Sequence, residues 1–171
     1  EDGVAGRSSE RIGEHRKACA KFGVTPDLDR YQAGRRQGLR EYCRPRTGFQ
    51  LGERGGSYAG ICPADLEGAF VSAFESGRQL YVLESRVAAA ASHLDSARRE
   101  LEHVEHEIVE QSAVVVSSTS SSEARAQALL STKKLAERSG RLKSEISDLE
   151  RDQARAEAEL SHYRLTLPPA G

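Results

Sequence analysis

From Pro63 onward an apolar residue returns every seven positions: Leu66, Ala73, Leu80, Val87, Leu94, Leu101 and Ile108. A second row runs three residues later through Ala69, Ser76, Leu83, Ala90, Ala97 and Val104. Few folds accept such a pattern, because a 3.5-residue spacing puts both rows on one seam of an α-helix and that seam must be covered by another helix. The second row is mostly small, which suits close approach. The repeat stops over residues 112–122, SAVVVSSTSSS, where β-branched residues and a serine run are both weak helix formers. It resumes with Ala128, Leu135, Leu142, Leu149, Ala156 and Tyr163, with Ile146 and Leu160 in the companion row, and Pro168-Pro169 closes it. Two seams of similar length flanking a break predict a long antiparallel coiled-coil hairpin turning near 112–122. One unbroken helix pairing with a second copy is the alternative.

The first 62 residues have a different texture. A helix is predicted from about Ser9 to Phe22, with Ile12, Cys19 and Phe22 on one face, His15 beside them and Gly23 as the stop. Thr25-Pro26-Asp27 supplies an N-cap, a first-position proline and a first-turn acid for a second helix reaching about Tyr42. Gly34 and Gly38 would let a neighbouring helix come close. Five glycines between residues 44 and 62 predict a structured loop, with Phe49 and Tyr58 tucked onto the helices. It is no phosphate loop, since it lacks the Gly-Lys-Ser/Thr ending and a preceding strand.

The three cysteines, Cys19, Cys43 and Cys62, have no metal-ligand spacing. One disulfide plus one buried thiol is the simplest arrangement and implies an oxidising compartment. Cys43 closes the second helix and Cys62 opens the third, so this pair is preferred; it would tie off the glycine loop and contribute about 3 kcal/mol. Pairing Cys19 with Cys43 needs a different geometry. The expected architecture is therefore all-α: a small disulfide-tied helical head over 1–62 and a helical hairpin over 63–167.

Charge and composition exclude several functions. Charged residues make up 30% and aromatics 5%, a balance suited to solvated helices. Residues 1–62 hold 12 Lys/Arg against 8 Asp/Glu, a net +4, and residues 63–171 hold 13 against 18, a net −5. That head is too weakly basic for a nucleic-acid binder. No apolar run approaches the roughly 20 residues of a membrane span. A chain beginning at Glu1 reads as trimmed or mature.

The head also carries an ordered set of motifs. Asp2-Gly3, HRKACA from His15 to Ala20, Gly23-Val24-Thr25-Pro26-Asp27 and YQAGRRQGLREYC from Tyr31 to Cys43 are followed by Tyr58-Ala-Gly-Ile-Cys62-Pro63 and Gly77-Arg78-Gln-Leu-Tyr81. In these, residues 1 to about 82 resemble the domain of unknown function 2799 (DUF2799) family of bacterial lipoproteins. The resemblance implies a Gram-negative envelope protein facing the periplasm, held at the outer membrane by a lipid on a cysteine upstream of Glu1. It implies no chemistry.

No motif points to catalysis or a cofactor. Glu100-x-x-His103 and Glu159-x-x-His162 look like di-iron motifs, yet neither histidine falls on the seam, and position 103 would face about 132 rather than 162. His15 lies one turn from Cys19 without an orienting group or pocket. The expectation is a non-enzymatic protein with no cofactor and no metal. Two surfaces remain as binding candidates. One is the hairpin tip, where Val114, Val115 and Val116 precede the serine turn. The other is an anion site in the head built on Arg35, Arg78, Tyr31 and Tyr58, since Tyr31-x-x-Gly34-Arg35 and Phe74-x-x-Gly77-Arg78 share a pattern that lines up an aromatic and an arginine on a helix. The first fits a structural adaptor that docks a protein partner in the envelope or a second copy of itself. The second fits a ligand-binding module for peptidoglycan or a lipid headgroup.

Overall fold

In the computed structural model residues 1–167 are described, so Pro168-Pro169 lies outside them. Among the described residues the secondary structure is entirely helical: a 3-10 turn at Ser9–Arg11, α1 (Ile12–Ala20), α2 (Leu28–Tyr42), α3 (Pro45–Glu53), α4 (Ala64–Val116) and α5 (Ser122–Thr166). The chain divides into two compact units, residues 1–82 and residues 83–166. None of the described helices is long and apolar enough to cross a membrane.

The core of the head is Leu39, Cys43, Cys62, Phe70 and Phe74, with Tyr42, Leu51, Tyr58, Ile61, Leu66 and Val71 packed against it. The disulfide joins Cys43 to Cys62 and leaves Cys19 as a free, half-buried thiol. Phe70 is fully enclosed, with the rings of Tyr58 and Tyr42 at 4.9 and 5.5 Å.

The glycine-rich stretch corrects the expectation of a loop over 44–62, because its first half is α3. Pro45 sits in the first turn, where its fixed φ suits a helix and its missing N–H goes unneeded. Gly48 and Gly52 cost α3 propensity but let its backbone lie directly on α4. A Cβ on Gly48 would stand 2.4 Å from the carbonyl oxygen of Phe70, and one on Gly52 would stand 2.1 Å from that of Phe74. Gly77 answers from α4, where a Cβ would meet the Phe49 oxygen at 2.1 Å. The glycines of this stretch therefore divide by role. Gly48 and Gly52 are contact surface, whereas Gly55, at φ +68°, follows the end of α3 in the left-handed region.

Three further expectations need correction. Asp27, not Thr25, caps α2, its Oδ1 accepting the backbone N–H groups of Asp29 and Arg30 at 3.0 Å each. Gly38 does admit a close neighbour, but that neighbour is the N-terminal segment rather than a helix: its Cβ would meet the Val4 nitrogen at 2.6 Å, while Gly34 faces open space. Phe22 is 82% exposed and α1 contains no buried residue, so the apolar face read over residues 12–22 is not core.

In the second unit two long helices pack together. Leu83, Leu94, Ala97 and Val104 of α4 and Ala128, Ser139, Leu142, Ala156 and Leu160 of α5 are buried. No residue of the heptad rows within this unit is exposed. Ion pairs flank the contact: Glu84–Arg164 at 2.7 Å, Arg86–Glu159 at 2.5 Å, Arg98–Glu150 at 2.7 Å, Glu100–Arg138 at 2.6 Å and Glu105–Lys143 at 2.8 Å. These side chains are substantially solvated, so each pair contributes at most about 1 kcal/mol, and the seam carries the association. The break between the helices is confined to residues 117–121. Helix α4 runs through Val114–Val116, because a β-branched residue costs a helix only about 0.5 kcal/mol, which packing overrides. The serines do terminate it: Ser117 Oγ bonds Thr119 Oγ1 at 2.9 Å, and Ser121 Oγ accepts the Ala124 N–H at 3.1 Å as the cap of α5.

Candidate interaction surfaces

The heptad rows of the second unit are covered where its two helices pack, so a surface available for binding there must be built from residues outside those rows. At the turn end of the second unit, Val114 and Val115 are half-buried and Val116 is 83% exposed. Sequence reasoning placed all three valines at the tip; the structure leaves Val116 as the outward one. It also exposes Val109 (67%), Leu129 (60%) and Leu130 (63%), which the heptad argument passed over. Their signal was available: each is a large apolar residue outside the repeat, where a solvated helix normally places polar groups.

The four residues of the candidate anion site have separate partners. Arg35 directs Nε and Nη2 at the backbone carbonyl of Arg7, at 3.1 and 2.9 Å. Arg78 is exposed on α4 beside Gly52. Tyr31 donates its hydroxyl to Asp2 Oδ2 at 2.8 Å, and Tyr58 donates to Glu67 Oε1 at 2.9 Å while accepting the Cys62 N–H. Burial, followed by the bond to Asp2, raises the Tyr31 phenol above its ordinary pKa. Burial, followed by the bond to Glu67, does the same at Tyr58 despite the opposing Cys62 N–H. Both hydroxyls thus face carboxylates. The shared aromatic-x-x-Gly-Arg pattern also has two environments: Gly77 is packed hard against α3, and Gly34 touches nothing.

A polar cluster missed by sequence reasoning fastens the N-terminal segment. Asp2 Oδ2 lies 2.8 Å from His15 Nε2 and accepts the Tyr31 hydroxyl, while Oδ1 lies 3.7 Å from Arg11 Nε. The bonds to His15 and Tyr31 hold the Asp2 carboxyl below the usual aspartate pKa, against a smaller desolvation effect. The His15 and Tyr31 rings are 5.8 Å apart. Next to this cluster the Gly3 backbone touches Gly38, where a side chain on either glycine would collide with the other segment. The cluster is a clasp between the chain's first residues, α1 and α2.

The Glu-x-x-His residues are dispersed. Glu100 pairs with Arg138, Glu159 with Arg86 and His103 with Glu107. No group of three or more potential metal ligands comes together among the described residues.

Neither a curated protein nor a solved structure matches the chain. Residues 1–79, containing the clasp, the disulfide and the glycine contact of α3 with α4, match the family model described as "Protein of unknown function (DUF2799)".

Proposed function

We propose that this chain is a non-enzymatic envelope protein whose α4–α5 element, an antiparallel coiled-coil hairpin, is an adaptor arm that docks a protein partner. On this reading the head, the first unit with its core of Leu39, Cys43, Cys62, Phe70 and Phe74, is a disulfide-tied base on the periplasmic side of the outer membrane, with a lipid anchor upstream of Glu1. The observation that carries the reading is the placement of apolar residues off the seam. Among the described residues of the second unit, four of the five exposed large hydrophobics, Val109, Val116, Leu129 and Leu130, flank the turn. Four of the five ion pairs support the hairpin by their order, since the α5 partners fall through Arg164, Glu159, Glu150 and Lys143 as the α4 partners rise through Glu84, Arg86, Arg98 and Glu105, with Glu100–Arg138 out of sequence. The disulfide supports an oxidising compartment. An anion-binding head has less support, because two of its four candidate side chains already face carboxylates.

The test is a photo-crosslinking residue placed at Val116 in the full-length protein in intact cells, with a second at exposed Arg54 as the control. A discrete adduct at Val116 that is absent at Arg54 and disappears with Val116→Asp supports the adaptor. Identical adduct patterns at both positions refute docking at the turn.

A further inference from the structure

The turn end of the second unit carries unsatisfied charge as well as apolar surface, and the two helices carry opposite signs. Between residues 100 and 116, α4 has five glutamates, Glu100, Glu102, Glu105, Glu107 and Glu110, and neither Lys nor Arg. Between residues 124 and 136, α5 has Arg125, Lys133 and Lys134 and no acid, with Glu123 and Glu137 just outside this stretch; Arg125 and Lys133 each lie one turn from Leu129. Glu100 and Glu105 are taken by Arg138 and Lys143 of the same chain, and Glu107 and Glu110 by His103 and His106. Among the described residues the side chains of Glu102, Arg125, Lys133 and Lys134 have no hydrogen-bond or ion-pair partner. Val109 and Val116, seven residues apart, share one face of α4 with Glu102. Leu129 and Leu130 lie one turn before Lys133 and Lys134 on α5.

We infer that the occupant of this surface is a second copy of the chain, packed about a two-fold axis so that the acidic Val109/Val116 face of α4 in each copy meets the basic Leu129/Leu130 face of α5 in the other. A two-fold contact is self-complementary: residue i meets residue j and j meets i, so a molecule with an acidic-apolar face and a basic-apolar face satisfies both at once. Opposite charges around an apolar centre also fix orientation, because pairing α4 with α4 would oppose glutamate to glutamate. The inference rests on the reading of α4–α5 as a docking arm and supplies its partner. It is distinct from dimerisation along the heptad seam, since none of the residues invoked lies on the seam.

The experiment is sedimentation equilibrium on the purified, oxidised chain over a wide concentration series, with helicity followed in parallel. Wild type is expected to associate to a dimer. Val109→Glu with Leu130→Glu should give a monomer of unchanged helicity; both sites are solvent-exposed, so the fold tolerates them. Two charge-reversed variants provide the decisive arm. Lys133→Glu/Lys134→Glu alone and Glu102→Lys/Glu110→Lys alone should each be monomeric, whereas their equimolar mixture should regain the dimer, because only the mixed pair opposes unlike charges at both contacts. A monomeric wild type at every concentration overturns the inference, as does a dimer indifferent to Val109→Glu/Leu130→Glu, or a mixture that stays monomeric. A monomeric wild type that still yields the Val116 adduct in cells leaves the adaptor reading standing with a different partner.

Discussion

Replacing Gly77 by alanine tests whether the head is held by backbone contact between α3 and α4. In an exposed helix the change is favourable by about 1 kcal/mol, the propensity difference between the two residues. At Gly77 the new methyl would lie 2.1 Å from the Phe49 oxygen, 2.8 Å from the Glu53 nitrogen and 2.9 Å from the Phe49 carbonyl carbon. All three are backbone atoms, so no side chain can rotate away, and α3 must withdraw until the 2.1 Å contact reaches ordinary van der Waals separation. Its freedom to withdraw is limited, because α3 lies inside the loop closed by Cys43–Cys62. Overpacking of this kind costs about 1–3 kcal/mol, and the rigidity of the obstacle points to the upper part of that range. Less the propensity gain, Gly77→Ala should destabilise the head by about 1–2 kcal/mol, lowering its melting midpoint by roughly 5–10 °C for a unit of this size. Gly140→Ala is the matched control, since Gly140 is helical with nothing near its Cβ position; it should stabilise by up to about 1 kcal/mol. Tyrosine near-UV circular dichroism follows the head through the Tyr42 and Tyr58 rings against Phe70, with far-UV helicity recorded alongside. If Gly77→Ala raises the midpoint as Gly140→Ala does, the α3–α4 backbone contact is refuted.

Two other perturbations bear on the head. Replacing both Cys43 and Cys62 by serine should cost about 3 kcal/mol from loop closure alone, read as a lower urea midpoint of the head transition; an unchanged midpoint would show that the bridge does not restrict the unfolded chain. Acid titration should expose the Asp2 clasp. Its carboxyl is held below the ordinary value by His15 and Tyr31, so its contribution to stability is fully present above about pH 4, the unfolded aspartate value, and is lost as pH falls through the lowered folded value. Asp2→Asn should therefore lower stability at neutral pH and flatten the loss of stability between that pH and strong acid. A parallel acid limb for wild type and variant would rule the clasp out.

The helical content and the cysteine pairing were legible because each rests on local chemistry. The heptad rows selected the residues that are shielded in the second unit, and Cys43 and Cys62 were identified by their position at two helix ends. Glycine was misjudged because its two uses look alike in a sequence. Gly48 and Gly52 read as helix breakers, yet their missing Cβ is what lets α3 touch the Phe70 and Phe74 backbone. The reverse happened at Gly34, read as a packing surface and found open. The clasp was invisible for another reason: Asp2, His15 and Tyr31 are 13 and 29 residues apart along the chain from Asp2, and no periodicity links them.

What the sequence determined by itself was periodicity and its interruption: which residues of α4 and α5 must be covered, where serine chemistry ends one helix and caps the next, and that the chain is all-α. Those properties depend on residue type and on spacings of three to seven positions. Tertiary structure alone decided whether a glycine is a break or a contact, which carboxylate receives the Tyr31 and Tyr58 hydroxyls, and which off-seam apolar residues remain exposed beside the turn. Those outcomes depend on which distant backbone or side chain arrives at each position, and only the folded chain sets that.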